Sequence, residues 1–426
     1  MQSFVIEGGR PLSGTVRAAG NKNGALPILA ATVLTSEPVA LSNIPRIRDV
    51  QTMVDILSDL GATVEWTGAN ELTVDAAQVT KTALHPLLGR EIRASFLLAG
   101  PLLARFGRAT VPPPGGDVIG RRRLDTHIHA FRELGVEVEL NGAYDLRTAG
   151  LRGKRLFLDE ASVMATENAV MAAVLADGET IVGHAACEPH IQDLCHFLVR
   201  LGAQIEGIGS NILRITGVEQ LGGGAHRIRP EHVEVASFAA LAALTGGELT
   251  IEEVEPDDLI AIVPAFRKLG IELDVGETTV RVPSGQELRV VDDLGDQIPK
   301  IESGIWPAFP ADLTSIAVVA ATQARGTVLV FEKMFESRLF FVDKLVSMGA
   351  RIILCDPHRV VVTGPARLYG QRLESPDIRA GMAMVIAALC AEGRSTIGNV
   401  GQIDRGYERI DERLRELGAA IERAEL

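Results

Sequence analysis

The sequence predicts a layered α+β protein of two domains, each assembled from three repeats of a small sheet with helices. Three observations carry that expectation: a helix-glycine-strand unit that recurs six times, an Ala-rich helix running in phase with it, and a length too great for one core. The chain has 426 residues with 46% apolar side chains, and single cores stop growing at roughly 250–300 residues.

The first unit reads DILSDLGATVEW, AFRELGVEVEL, FLVRLGAQIEG, AFRKLGIELDV, KLVSMGARIIL and RLRELGAAIER. Its glycines are Gly61, Gly135, Gly202, Gly270, Gly349 and Gly418, a period of about 70 residues that exceeds the usual solenoid repeat. Each stands where a helix C-terminus needs a left-handed residue, and the alternation that follows reads as a short strand. The second pattern is an Ala-rich helix, a Gly or Pro turn and a strand, as in ILAATVLTSEPVALSNI, AVMAAVLADGETIVGHA and MVIAALCAEGRSTIGNV. Buried Ala-rich helices beside sheets with charged outer faces fit a layered α+β arrangement better than a doubly wound parallel sheet.

Six units divide as three and three, with crossings expected near Gly20 to Lys22 and near Arg229 to Pro230. The expected domains are residues 22–229, and 1–21 together with 230–426, the strand Phe4 to Glu7 joining the second.

Composition narrows the function. The net charge of −13 argues against nucleic acid as a partner, because phosphate-backbone binding needs a basic face. The long apolar runs, such as Ile316 to Ala321 and Met382 to Leu389, fall far short of the roughly 20 residues that span a bilayer. The start, MQSFVIEGGRPLSG, lacks the basic and apolar regions of a secretory signal, so a cytoplasmic protein is expected. Cys187, Cys195, Cys355 and Cys390 form no CxxC pair and signal neither a zinc ribbon nor a disulfide framework.

In an acidic chain, the placement of cations is informative. Lys22, Arg93, Arg122, Arg338, Arg379 and Arg405 fall on loops at equivalent edges of the repeats. One such arginine is ordinarily a solvated surface charge. Six in register point to phosphate or carboxylate, the ligands a planar guanidinium suits best. PPPGGDVIG pairs rigid prolines with glycines and reads as a movable loop with exposed N–H groups, or as a plain surface turn. GNKNGALP has neither Rossmann nor Walker A spacing.

Asp312 in FPADLTS and Asp377 in SPDIRAG precede helices, where an N-cap is the commoner meaning of Asp. A carboxylate among arginines can also take a proton from a hydroxyl nucleophile. His127, His129, His184, His190 and His196 suggest a metal at first sight, but no HExxH is present.

Taken in order, GNKNGALPIL, IRASFLLAGPL, PPGGDVIGRRRLDTH, FPADLTS, FESRLFFV, DIRAG and IDRGYERI resemble the UDP-N-acetylglucosamine 1-carboxyvinyltransferase family of enolpyruvyl transferases nearly end to end. The resemblance implies a two-domain inverted αβ barrel closing over substrates in an interdomain cleft. It further implies no metal and no organic cofactor, with phosphoenolpyruvate and a UDP-sugar as substrates. The activity would open peptidoglycan precursor synthesis and so bear on cell shape and division.

The same resemblance implies that Lys22, Asn23, Arg122 and Arg405 hold phosphoenolpyruvate, with Arg93, Arg338 and Arg379 completing the anion surround and Asp377 a further substrate-binding candidate. It implies a nucleotide site at Arg122, Arg123, Leu124, Asp125 and Thr126, at Glu160, Ala161, Ser162 and Val163, and at Asp312 and Met334. Asp312 would orient and deprotonate the sugar 3′-hydroxyl. Asp117 falls where most members carry a cysteine on a mobile loop, the acid that protonates the methylene carbon. The catalytic set is thus Asp117, Lys22, Asp312 and Arg405.

Departures from the family pattern bear on the acceptor: Arg123 for proline, Glu160 for lysine, Met164 for glycine and Gln402 for histidine. An acid at 160 weakens diphosphate binding unless Arg123 compensates. Alternative acceptors are another uridine nucleotide or shikimate 3-phosphate, although the NAGTAxR signature of the shikimate enzymes is missing. A UDP-sugar-binding regulatory paralogue without turnover is the alternative from another class, and the intact catalytic set argues against it.

Overall fold

The structure is a computed structural model that describes residues 2–116, 119–120 and 122–425. Contacts divide it into two compact units: Met1–Ala19, Val118–Arg121 and Pro230–Leu426 form one, and Gly20–Asp117 with Arg122–Arg229 the other. Each has its own hydrophobic core.

One repeat shows the local logic. The helix Lys22–Ala31 leads to the strand Val39–Ser42, the helix Arg48–Leu60 and the strands Thr63–Gly68 and Glu71–Asp75. Asn21 caps the first helix, its Oδ1 accepting from Gly24 N at 3.0 Å, which satisfies one of the donors a helix start leaves over. The second helix is amphipathic: Gln51, Asp55 and Ser58 are exposed while Met53, Ile56, Leu57 and Leu60 are buried. It stops at Gly61, whose φ of 110° is left-handed, a conformation that costs a side-chain-bearing residue roughly 1–2 kcal/mol. The other five repeat glycines also have positive φ, from 76° to 106°.

Among the described residues the strands form six sheets, five of four strands and one of three. In the first, the order is Gly224–Arg227, Val39–Ser42, Glu71–Asp75 and Thr63–Gly68. The last three strands pair antiparallel, and Gly224–Arg227, from the tail of the third repeat, adds parallel to the edge. Likewise Arg155–Phe157 adds parallel to Glu179–Gly183, and a single bridge, Ala83 to Thr110, marks the same crossing between the first two repeats. Each repeat thus covers an edge strand of the next, and the third returns to the first, closing a ring of three that leaves fewer open edges.

The other unit closes in the same way with help from the beginning of the chain. Gln2–Glu7 lies between Arg394–Gly398 and Ala420–Glu425, antiparallel to both. Gly14–Arg17 then adds parallel to Leu249–Glu252. The sixth repeat therefore takes its missing strand from residues 2–7.

The Ala-rich helices lie inside. In His232–Thr245 and Ile378–Cys390 nearly every residue is buried, and these two pack on each other and on Thr314–Gln323. A helix buried on all sides needs small side chains where helices touch, and Gly100 shows why. Its N–H donates to Asn168 Oδ1 at 2.9 Å, and a Cβ there would come within 2.8 Å of the Asn168 carbonyl. These mixed sheets around buried helices, repeated three times per unit, are the inverted αβ barrel architecture. No described helix is long and apolar enough to cross a membrane.

Candidate functional site

Helix starts organise the candidate residues. Lys22 and Asn23 lie in the first turn of Lys22–Ala31, Asp125 and Thr126 in that of Asp125–Glu133, Val163 at the head of Val163–Ala173, and Arg379 in the first turn of Ile378–Cys390. Unsatisfied N–H groups and the positive end of the helix dipole make such positions favourable for anions.

In the unit containing Gly20–Asp117, Lys22 is buried and its Nζ lies 2.7 Å from Asp49 Oδ2, the side chains 11% and 5% exposed. The helix Lys22–Ala31 also packs against the 3₁₀ segment Arg93–Leu98. Arg93 is half-buried and its Nη2 donates to the carbonyl of Arg123 at 3.2 Å. Burial, then the like charge of Arg122, lower the Arg93 guanidinium to about 10, with Tyr144 and Glu160 acting in the opposite sense. Two guanidiniums that raise each other's free energy form a place where a bound anion is stabilising.

The segments 122–126 and 159–163 are tied together, since Thr126 Oγ1 donates to Asp159 Oδ1 at 2.8 Å. Leu124 and Ala161 are buried, and Ser162 caps Val163–Ala173 through Ala165 N at 3.4 Å. Glu160 is exposed, and its carbonyl accepts from Ser162 N at 2.7 Å. Arg123 spends its fork on Asp125, at 2.6 and 2.7 Å. The compensation of Glu160 by Arg123 considered from sequence is therefore not the pairing the structure shows. Asp117 lies outside the described residues.

In the unit containing Pro230–Leu426, the two aspartates part company. Asp377 is the N-cap, its Oδ1 accepting from Arg379 N and Ala380 N at 2.8 and 2.9 Å. Asp312 does not occupy an N-cap position: it lies within the 3₁₀ turn Ala311–Leu313, whose N-cap position is Pro310. Its Oδ1 accepts from Arg338 Nη2 at 2.9 Å and its Oδ2 from Arg379 Nε at 3.1 Å. The arginine side chains are 4% and 6% exposed, the Asp312 side chain 28%. Burial opposes the charge on Arg379, but Asp312, Tyr407 and Glu231 outweigh it and hold the guanidinium above its ordinary value. Among the described residues, Arg338 Nε and Nη1 and Arg379 Nη1 have no hydrogen-bond partner. Buried donors of that kind are costly and suit an anionic ligand.

Met334 follows a buried carboxylate that sequence reasoning missed. Glu332 Oε1 accepts from Met334 N and Phe335 N at 2.8 and 3.2 Å, while Oε2 accepts from Thr314 Oγ1 at 2.6 Å. Glu332 so anchors the start of the loop leading to Arg338. Glu231, 3.9 Å from Arg379 Nη2, was missed as well, as were Asp49 and Asp159. Nothing local marks these acids, whose side-chain partners Thr314, Arg379, Lys22 and Thr126 lie elsewhere in the chain. Arg405 ends the 3₁₀ segment Val400–Arg405 and its Nη1 donates to Gln402 Oε1 at 2.9 Å, so the glutamine at the departing position is in direct contact with it.

The histidines have other occupations. His127 is buried edge-on against Phe96 and bonded to Asn168 Nδ2 at 3.0 Å. His184 Nδ1 is 2.9 Å from the Leu158 carbonyl. Among the described residues no group of three His, Cys, Asp or Glu could hold a metal ion.

Comparison with known proteins finds relatives along nearly the whole chain. The family model for EPSP synthase (3-phosphoshikimate 1-carboxyvinyltransferase) matches residues 6–414. The chain is 56% identical to the UDP-N-acetylglucosamine 1-carboxyvinyltransferase of Bradyrhizobium diazoefficiens over 420 residues, 99% of this chain and 97% of that one. It is 55% identical to the protein of the same name from Treponema denticola, over 99% of each. Among solved structures, the enolpyruvyl transferase NikO from Streptomyces tendae superposes with a TM-score of 0.90 at 25% identity, over 99% of both chains. An EPSP synthase from Acinetobacter baumannii shares the fold, with a TM-score of 0.76 at 17% identity over the full length of both.

Proposed function

We propose that this chain, which belongs to the UDP-N-acetylglucosamine 1-carboxyvinyltransferase family of enolpyruvyl transferases, transfers the enolpyruvyl group of phosphoenolpyruvate to the 3′-hydroxyl of UDP-N-acetylglucosamine and releases phosphate. This is the first committed step of peptidoglycan precursor synthesis, carried out in the cytoplasm and bearing on cell shape and division.

The observation that carries the reading is the setting of Asp312. It is a part-exposed carboxylate away from the N-cap position, held by two buried arginines with N–H groups to spare. Such an acid keeps its orientation while its accessible face receives a hydroxyl proton. The spare donors of Arg338 and Arg379 offset the charge that develops on the reacting carboxylate and phosphate.

The chemistry is addition followed by elimination. Asp117 gives a proton to the methylene carbon of phosphoenolpyruvate, leaving the adjacent carbon electron-poor. The 3′-hydroxyl oxygen attacks that carbon as Asp312 takes its proton. The tetrahedral adduct then returns a methyl proton to the Asp117 carboxylate and expels phosphate, restoring the double bond. Lys22, Asn23, Arg122 and Arg405 hold phosphoenolpyruvate, Arg93, Arg338 and Arg379 complete the surround, with Asp377 capping the helix that carries Arg379, and the segments 122–126 and 160–163 with Met334 hold the nucleotide.

The test is phosphate release from phosphoenolpyruvate with UDP-N-acetylglucosamine, other UDP-sugars, UMP and shikimate 3-phosphate as acceptors. Release with UDP-N-acetylglucosamine at the highest kcat/KM supports the reading. Preference for another acceptor replaces it, and no release with any acceptor sinks the catalytic assignment.

A further inference from the structure

Arg405 closes a short 3₁₀ segment, Val400–Arg405, that links the strand Arg394–Gly398 to the helix Ile410–Glu416. Segments of this kind have poor internal hydrogen bonding. Both flanks are left-handed residues, Asn399 with φ 54° and Arg409 with φ 46°. The direction of the bend therefore depends on side-chain anchors.

Most of these are buried or local. Ile403 is fully buried, Asn399 Nδ2 donates to the Ser375 carbonyl at 2.8 Å, and the Tyr407 hydroxyl meets Ser237 Oγ at 3.1 Å. The residue next to Arg405 is held differently. Arg423 places Nη1 and Nη2 on the two oxygens of Asp404, each at 2.8 Å, and Nη2 also donates to Asp411 Oδ1 at 2.8 Å. One guanidinium thus spans the bend, gripping an acid before it and an acid on the helix after it.

The grip is mounted on a rigid support. Arg423 lies on the strand Ala420–Glu425 opposite Phe4, and its guanidinium carbon is 4.8 Å from the Phe4 ring centre. Lone surface ion pairs contribute little, but a planar fork bound to both oxygens of one carboxylate adds geometric definition.

We propose that Arg423 is a positioning residue for Arg405, acting through the Asp404 carboxylate to set where the Arg405 guanidinium meets phosphoenolpyruvate. The proposal rests on the anion-binding reading of Arg405 given above. A displacement of about 1 Å in such a contact costs up to two orders of magnitude, so partial loosening has a measurable effect specific to one co-substrate.

The experiment compares Arg423→Lys, Asp404→Asn and their combination with Arg405→Ala in the phosphate-release assay, alongside thermal melting. Arg423→Lys keeps the charge but loses the two-oxygen grip. Its KM for phosphoenolpyruvate should rise about tenfold while its KM for UDP-N-acetylglucosamine stays within about twofold and the melting midpoint stays near that of the parent. Asp404→Asn should act in the same direction, and the double variant should be no worse than the poorer single, since both break one contact. Equal rises in both KM values, or parental values in both singles while Arg405→Ala is impaired, overturn the proposal alone. If Arg405→Ala itself keeps parental turnover and KM, the assignment of Arg405 falls, and this proposal with it. Should Arg423→Lys melt below the assay temperature, Asp404→Asn decides by the same criteria.

Discussion

The ammonium of Lys22 and the carboxylate of Asp49 form a buried ion pair at 2.7 Å. Removing one member of such a pair strands the other in a low-dielectric setting, at a cost of about 3–5 kcal/mol. Lys22→Met should therefore lose both stability and turnover, and adding Asp49→Asn should restore most of the stability but none of the turnover. Urea unfolding and phosphate release report the two quantities separately. Turnover that returns with stability would make Lys22 a structural lysine.

Arginines of equal charge should divide by location. Arg405→Ala removes a proposed phosphate contact and should lose most turnover. Arg351→Ala, on an exposed strand position where Nη2 reaches the Pro365 carbonyl at 3.3 Å, should remain within about twofold of the parent, as surface substitutions usually do. Similar losses at both positions would dissolve the argument from loop placement.

At position 117 a carboxylate stands in place of a thiol. Fosfomycin alkylates the thiolate of cysteine members, so this protein should be insensitive to it, and Asp117→Cys should become sensitive. A proton donor must be protonated, and an ordinary Asp has a pKa of about 3.9. Activity should accordingly fall toward alkaline pH, and the Cys variant should extend activity to higher pH. Asp117→Asn should lose most turnover; full activity in that variant removes Asp117 from the role of acid.

His127 provides a stability test beside the candidate site. Asn168 is oriented by Gly100 N on its Oδ1 and the Phe96 carbonyl on its Nδ2, so it presents an N–H to His127 Nδ1. Burial, with a smaller contribution from Arg93, depresses the imidazole to about 3. The unfolded chain takes up a proton below about 6.5, whereas the folded chain resists until about 3. The stability this group confers is thus complete above pH 6.5 and declines by about 1.4 kcal/mol per pH unit as pH falls through that window. His127→Leu should flatten the decline in urea midpoint between pH 6.5 and 4.5 by about one proton's worth. An unchanged slope would show that His127 titrates normally.

Much of the architecture could be read in advance because it repeats. A left-handed glycine after an amphipathic helix is a local necessity, so Gly61 and its five counterparts mark every repeat wherever the chain goes next. The site was only partly legible. A basic residue in an acidic protein stands out, as Arg93, Arg379 and Arg405 do. Glu332, Glu231 and Asp159 look like ordinary surface acids until folding brings Thr314, Arg379 and Thr126 to them. Asp312 and Asp377 were indistinguishable because both precede helices. Only the position of the first hydrogen-bonded turn makes one a cap and leaves the other facing two arginines.

The strand Gln2–Glu7, lodged between Arg394–Gly398 and Ala420–Glu425, also governs the order of assembly. During synthesis it is made well before its neighbours on both sides and waits, unpaired, until they follow, while residues 20–229 can already close their own ring of repeats. An unpaired apolar strand is exposed to misassociation for that whole interval. The same pairing sets Gln2 opposite Glu425, so a short linker between them would make new termini possible elsewhere. Opening the chain between Arg229 and Pro230 would deliver the last three repeats and their missing strand as one continuous stretch, shortening the wait.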